Sequence, residues 1–361
     1  GGTEALGAAL LGLIETGDEV ILIEPLYDSY LPIVQRGGGV AKLVRLEAPG
    51  WELPRNELAA AFSDKTKLIL INTPMNPCAK VFDRDELDFI SGLCRKHEAF
   101  AVCDEVYEHL AFEGEAHIPM ITLPGMRDRT VRIQSAGKIF SLTGWKVGYI
   151  TAPAALADVI AKTHQFVTFT TAPALQTAIA QGLGFEDSYF DGLALDLEGK
   201  RERLAQGLEG VGFRTLPTHG TYFLTCDISA LRESSDDRSF CMEITRQAGV
   251  AAVPVEVLEA AMPIEFTQKE LIDGSGGDGA ARGGDGQVIA FHLRTEDDWL
   301  LNAVPSRLKI GAEGFEGGED GEAGRFMING EDAAQANKMV MQPGDRVVLE
   351  TPGGGGYGKL K

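Results

Sequence analysis

Four short runs constrain the fold of this chain more than any other feature. Glu19-Val-Ile-Leu-Ile-Glu24, Lys67-Leu-Ile-Leu-Ile-Asn72, Ala99-Phe-Ala-Val-Cys-Asp104 and Thr130-Val-Arg-Ile-Gln-Ser135 are compact and rich in apolar residues. A strand with one wet face alternates apolar and polar positions, whereas a continuous run needs cover on both faces. Helical patterns lie between the runs. Apolar residues recur at helical spacing from Leu6 to Ile14, and Asp83 to Lys96 reads as an amphipathic helix with Asp83 as its N-cap. Buried strands separated by helices predict an α/β fold built on a mostly parallel sheet.

Ala155 to Glu209 reads as almost all helix, with breaks near Ala172-Pro173 and Gly182-Leu-Gly184. A strand over Thr221 to Asp227 and a helix over Ser239 to Gln247 then begin a smaller α/β element. Composition shifts near residue 260. Nearly half of the 44 glycines fall in the last hundred residues, clustered in Gly274 to Gly286 and Gly311 to Gly324. Short strands such as Gln287 to Leu293 and Asp345 to Glu350 separate the clusters, so this segment reads as a compact, turn-rich β element.

The charge balance, 33 basic against 53 acidic residues, gives −20 and argues against a nucleic-acid or anionic-membrane surface. No apolar run approaches the length of a membrane span, and no secretory leader is visible. The five cysteines are scattered and form no CxxC, which fits reduced thiols and a cytoplasmic setting. Cys103, inside an apolar run, reads as a core thiol rather than a nucleophile. The chain does not begin with Met, so its true start is expected to lie upstream.

The chemistry concentrates around Lys138, in Ser135-Ala-Gly-Lys138-Ile-Phe-Ser-Leu-Thr-Gly144-Trp-Lys146. An isolated lysine is usually a solvated charge. Here it follows Gly2-Thr3, Glu24-Pro-Leu-Tyr27-Asp28, Asn72-Thr-Pro-Met-Asn76-Pro77 and Asp104-Glu-Val-Tyr107 in a fixed order. Asp104 closes an apolar run, where a carboxylate is costly unless paired. Taken singly, Tyr107 is equally a core aromatic and Tyr27 a loop-packing one. Order and spacing together resemble the fold-type I aminotransferases that use pyridoxal 5'-phosphate (PLP), closest to the kynurenine and methionine aminotransferase branch, from Gly1 to about Pro254.

That resemblance implies roles. Lys138 forms the Schiff base with the PLP aldehyde and shuttles a proton. Asp104 keeps the pyridine nitrogen protonated, and Tyr107 and Asn76 hydrogen-bond the phenolic oxygen. Tyr27 stacks on the ring. Gly2, Thr3, Ser135 and Lys146 bind the phosphate, helped by the helix that starts there. The implied reaction moves an amino group from an α-amino acid to a 2-oxo acid, in a homodimer. A carbon–sulfur lyase on the same scaffold is an alternative.

Departures from the family pattern carry expectations of their own. Asn76-Pro77-Cys78-Ala79 stands where the family usually has Asn-Pro-Thr-Gly, so the turn at Ala79 is expected to be strained. The family has about ninety residues before the Gly-Gly-Thr position, including the strand leading into it, and a C-terminal arginine that grips the substrate carboxylate. Neither finds a match here. Weak activity is therefore expected, with Arg282 or Arg294 as the first substitutes for that arginine.

From about Pro254 the motifs change: Pro254-Val-Glu-Val-Leu-Glu259, Asp273-Gly-Ser-Gly-Gly-Asp-Gly279, Arg282-Gly-Gly-Asp-Gly286, Pro343-Gly-Asp345 and Thr351-Pro-Gly-Gly-Gly-Gly-Tyr-Gly358. These resemble the C-terminal end of the hydantoinase B/oxoprolinase family. The expected organisation is a PLP-binding large domain over 1–185, a partial small domain over 186–253, and a hydantoinase B-like fragment over 254–361. A chimera of two partial genes accounts for both resemblances. A hydrolase fragment and an inactive remnant are the remaining alternatives.

Overall fold

The computed structural model describes residues 1–361 except 113, 232–236, 256–263, 294, 304–306, 334–337 and 360–361. Arg294 and most of the motif from Pro254 to Glu259 therefore lie outside the described residues. The chain forms two compact units, one of Gly1–Ser235 with Val255–Ala261, the other of Asp236–Pro254 with Met262–Lys361.

The first unit runs α1 (Gly2–Leu13), β1 (Glu19–Glu24), α2 (Tyr30–Arg36), β2 (Val40–Arg45), α3 (Arg55–Ala61), β3 (Thr66–Asn72), α4 (Arg84–Lys96), β4 (Phe100–Asp104), β5 (Thr130–Ser135), α5 (Ala136–Ile139) and β6 (Gly148–Thr151). Its sheet has the order β2-β1-β3-β4-β5-β6. All pairs are parallel except β5 with β6. The four apolar runs are the adjacent strands β1, β3, β4 and β5. Strand geometry sends alternate residues to opposite faces, and both faces are covered. Ile21, Ile69, Ile71 and Cys103 join Leu87 and Ile90 of α4 on one side. Val20, Leu22, Leu68, Leu70 and Val102 join Leu6 and Leu10 of α1 on the other. Each such fully buried side chain contributes about 1.5–3 kcal/mol relative to exposure.

Helix α4 starts where the sequence indicates. Asp83 Oδ1 accepts from the Glu86 amide at 2.8 Å, and Glu86 Oε2 accepts from the Asp83 amide at 3.2 Å. This reciprocal cap satisfies two otherwise orphaned donors. The helical stretch after β6 comprises α6 (Ala154–Val167), α7 (Pro173–Gly182) and α8 (Asp187–Glu209), broken at the two expected places.

The strand expected over Thr221 to Asp227 is mostly a turn instead. Only β8 (Cys226–Asp227) is extended and paired, with β7 (Arg214–Thr215). Thr221 sits at φ 66, and its hydroxyl accepts from the Phe223 amide at 3.1 Å. A strand needs negative φ, so this β-branched residue ends the run at its first position.

In the second unit, the helix expected at Ser239 to Gln247 is α9 (Asp237–Ala248). Among the described residues seven strands follow: β9 (Ile264–Leu271), β10 (Gln287–Leu293), β11 (Trp299–Asn302), β12 (Arg325–Ile328), β13 (Glu331–Asp332), β14 (Lys338–Met341) and β15 (Val347–Glu350). Five form an antiparallel sheet, β13-β12-β15-β10-β9, and β11 pairs with β14. Leu293, Trp299, Phe326, Met341 and Val347 make the core.

The glycine clusters form a bundle of three segments, 274–286, 311–324 and 352–358. Gly277 donates to Gly354 and Gly354 to Gly284, both at 2.8 Å, while Gly356 donates to Glu319 at 2.8 Å and Glu319 to Asp278 at 2.7 Å. Each segment thus bonds to both others. A Cβ on Gly353 would overlap the Ser275 carbonyl, and one on Gly355 the Glu313 carbonyl. Backbones approach this closely only where no side chain intervenes.

Candidate active site

Register builds the floor of a cavity. The pairing of Asn72 with Asp104 aligns the carboxyl ends of β3 and β4, and β5 ends alongside at Ser135. In open α/β sheets the crevice outside the strands' carboxyl ends is where ligands bind. Here that crevice is a cavity of about 560 Å³. Gly2, Thr3, Tyr27, Asn76, Asp104, Tyr107, Ser135, Lys138 and Lys146, the residues singled out from the sequence over a span of 145 positions, all line it.

Asp104 brings a perturbed carboxyl to this cavity. It is 7% exposed, and burial pushes its carboxyl up to about 6. The Tyr30 hydroxyl, donating to Oδ2 at 2.7 Å, pulls it back, as do the Val106 amide at 3.4 Å and the charge of Lys138. Asn72 braces the same corner: its Nδ2 donates to the Asp104 carbonyl at 2.8 Å, and its Oδ1 accepts the Asn76 amide at 2.6 Å. Tyr30 and Asn72 were not singled out as site residues. Their only sequence signals are the three-residue spacing of Tyr30 from Tyr27 and the place of Asn72 at the end of an apolar run.

Lys138 follows β5 in the short helix α5. Its Nζ donates to the Tyr222 hydroxyl at 2.5 Å and lies 5.4 Å from the Tyr107 ring centre. Burial raises the Tyr107 phenol well above its ordinary range, so it stays protonated, and it donates to Tyr222 at 3.3 Å. At the other end of the cavity α1 opens at Gly2, and the Thr3 hydroxyl is 3.0 Å from that of Tyr27. The first amides of a helix have no intrahelical acceptor, and the helix dipole adds positive potential there. Lys146, left-handed at φ 55, places a cation on the same wall.

Behind Asp104, Glu105 is wholly buried, with Arg132 Nε at 2.5 Å and His117 Nε2 at 3.0 Å. A second arm of Arg132 reaches Glu108 at 2.8 Å. The guanidinium occupies the position between these carboxylates that a cation would take. Ala79, at the expected strained turn, is left-handed at φ 59, which costs a non-glycine residue about 1–2 kcal/mol.

Among the described residues no arginine lines the cavity. Arg282 is engaged by Asp285 at 2.6 Å and Asp278 at 3.7 Å.

Residues 1–267 match the family model for aminotransferase class I and II. The chain belongs to that family. Its members use PLP. Among this family's curated proteins, methionine aminotransferase of Escherichia coli is 40% identical over 257 residues, covering 71% of this chain and 66% of that protein. Kynurenine–oxoglutarate transaminase 3 of Rattus norvegicus is 38% identical, covering 71% and 62%. The chain thus spans less than two thirds of the length of either. The solved structure of N-succinyldiaminopimelate aminotransferase from Mycobacterium tuberculosis superposes with a TM-score of 0.70 at 38% identity, covering 72% of this chain and 67% of that one. Residues 242–360 match a second model, hydantoinase B/oxoprolinase, and the two matches overlap over 242–267.

The cavity suits the family's cofactor on its own chemistry. Asp104 is a buried carboxylate on a wall where a protonated ring nitrogen can be its counterion. The free amides at the start of α1, with Thr3, Ser135 and Lys146, are the donors an organic phosphate takes. The space above Gly2 is tight as well: a Cβ there would come within 3.2 Å of Val106 Cγ1.

Proposed function

We propose that this chain binds PLP in the cavity around Lys138 and transfers an amino group from an α-amino acid to a 2-oxo acid. The observation that carries the reading is the convergence of nine residues from separate stretches of sequence on one cavity, Lys138 and the buried Asp104 among them. When bound, the cofactor supplies an aldehyde for amines and a cationic ring that draws electrons from the substrate Cα.

In this reading Lys138 would hold the cofactor through its aldehyde, and its Nζ would carry a proton to and from the substrate Cα. Asp104 would be the carboxylate counterion that holds the ring nitrogen protonated. Tyr107, kept protonated by burial, and Asn76 donate to the phenolic oxygen, and Tyr27 packs against the ring. Gly2, Thr3, Ser135 and Lys146 hold the phosphate. Exchange with amino acids is slow in this reading, because a carboxylate entering the cavity meets no arginine among the described residues.

The proposed division is a cofactor-binding domain over 1–185, a partial small domain over 186–253 and a hydantoinase B-like segment over 254–361. The overlap of the two family matches over 242–267 supports a change of family near residue 254. A homodimer is part of the proposal; Phe166, 88% exposed, and Phe169, 72% exposed, are apolar surface such an interface would cover. So is a cytoplasmic setting, in keeping with five unpaired cysteines. No described helix is long and apolar enough to cross a membrane.

The test is direct. Treat the protein with PLP, reduce with borohydride and map the modified peptide. Modification at Lys138 supports the reading; modification elsewhere with Lys138 untouched refutes it. Sedimentation of the purified chain tests the dimer.

A further inference from the structure

Tyr222 stands outside the set of residues that the sequence pointed to, yet it makes the shortest polar contact to Lys138. Its ring is 47% exposed, and its oxygen lies 2.5 Å from Lys138 Nζ and 3.3 Å from the Tyr107 hydroxyl. The Tyr107 and Tyr222 rings meet edge to face at 5.3 Å, and Nζ lies 5.1 Å from the centre of the Tyr222 ring.

The backbone holds this placement. The Thr221 amide donates to Leu110 at 2.8 Å, the Phe112 amide to His219 at 2.7 Å and the His219 amide to Ala79 at 3.0 Å. A Cβ at Gly220 would come within 2.5 Å of the Leu110 carbonyl oxygen, so only glycine fits there. With Thr221 left-handed, the next side chain turns back toward Lys138. The turn that replaces the expected strand is thus what delivers Tyr222.

We propose that Tyr222 is a positioning residue for Lys138: its hydroxyl ties the amine to Tyr107 and keeps the resting amine protonated. The inference rests on the reading of Lys138 as the cofactor-bearing lysine. The ammonium donates to the Tyr222 oxygen, which also accepts from Tyr107. A neutral amine instead accepts the Tyr222 proton. The charged arrangement is the stronger hydrogen bond. The other titratable or charged groups lining the cavity are Glu4, Tyr27, Tyr30, Asp104, Tyr107 and Lys146, together with the Gly1 amine.

The experiment uses the full chain without cofactor. Pulse-acetylate it with acetic anhydride across pH, and quantify Lys138 by peptide mass spectrometry against exposed Lys162. Lys80, with its side chain 11% exposed and its Nζ 2.9 Å from Glu86, reports folding by its protection. Y222F is expected to lower the pH midpoint of Lys138 labelling by about half a unit to one unit, and Y222L by at least as much, with Lys162 unmoved. An unchanged midpoint in both variants, with Lys80 still protected, overturns the inference. Loss of Lys80 protection in both also overturns it, by making Tyr222 a folding residue. PLP capture at another lysine would instead defeat the functional reading and leave these midpoints readable.

Discussion

Replacing Tyr30 with phenylalanine removes a single hydroxyl from beside a buried carboxylate, and the structure gives the expected size of the effect. The hydroxyl donates to Asp104 Oδ2 at 2.7 Å. A hydrogen bond to a charged acceptor contributes about 1.5–3 kcal/mol and one to a neutral acceptor about 1 kcal/mol. The difference, about 0.5–2 kcal/mol, corresponds to about 0.4–1.5 pH units. Asp104, already pushed from 3.8 up to about 6 by burial, is therefore expected to titrate near 7 in the variant. Because its folded value lies above its unfolded one, protonation favours the folded state. That contribution is fully present below pH 3.8 and is lost as pH rises through the folded value. In the parent the loss is complete a little above pH 6; in Y30F it continues through 7. The variant should then be weaker by about 1 kcal/mol at pH 5 and by about 1.5–3 kcal/mol at pH 8. Hydrogen exchange of β3 and β4 peptides, parent against variant at each pH, reads this as about fivefold faster exchange at pH 5 and about 13- to 160-fold at pH 8. Equal ratios at the two pH values, or a larger one at pH 5, would refute the account of Asp104.

Other perturbations probe other links. Asp104→Asn should leave PLP affinity within about tenfold while slowing the amino-acid half-reaction at least about a hundredfold, measured spectroscopically, since a neutral amide cannot hold the ring nitrogen protonated. Arg132→Met strands Glu105 and Glu108 without their guanidinium partner and should destabilise the first unit by about 3–5 kcal/mol, seen as a lower Tm; a Tm unchanged within error would show that these ion pairs do not hold the unit together. Gly353→Ala should cost the second unit about 3 kcal/mol, with faster exchange over 274–286 and 311–324 and no change in β1 or β3.

The parts of the fold legible in the sequence are those where burial alone decides. Strands β1, β3, β4 and β5 are covered on both faces, so their composition announces them. Edge strand β2, with Val40 and Leu43 half exposed, carries no such signal, and the two- to four-residue strands of the second unit are too short to show a period. The nine site residues could be named because a resemblance supplied their order. Tyr30 and Tyr222 escaped for a physical reason. Their contacts join positions 74 and 84 residues apart, and Tyr222 is aimed by a turn whose hydrogen-bond partners, Leu110 and Ala79, lie far away in sequence. Local propensity favours a strand there, and tertiary hydrogen bonds override it.

The glycine bundle of the second unit bears on how any mutational survey of this chain would read. Where carbonyls lie against Cα atoms, tolerance at a position reports the room around the backbone and nothing of chemistry. Alanine at Gly353 or Gly355 would register as harmful as a change at a catalytic group, although neither glycine has a side chain with which to act. A map of sensitivity drawn without the structure would therefore mark two hot regions in this chain, one made of reactive groups and one of vacant space, and only substitutions that leave volume unchanged would tell them apart.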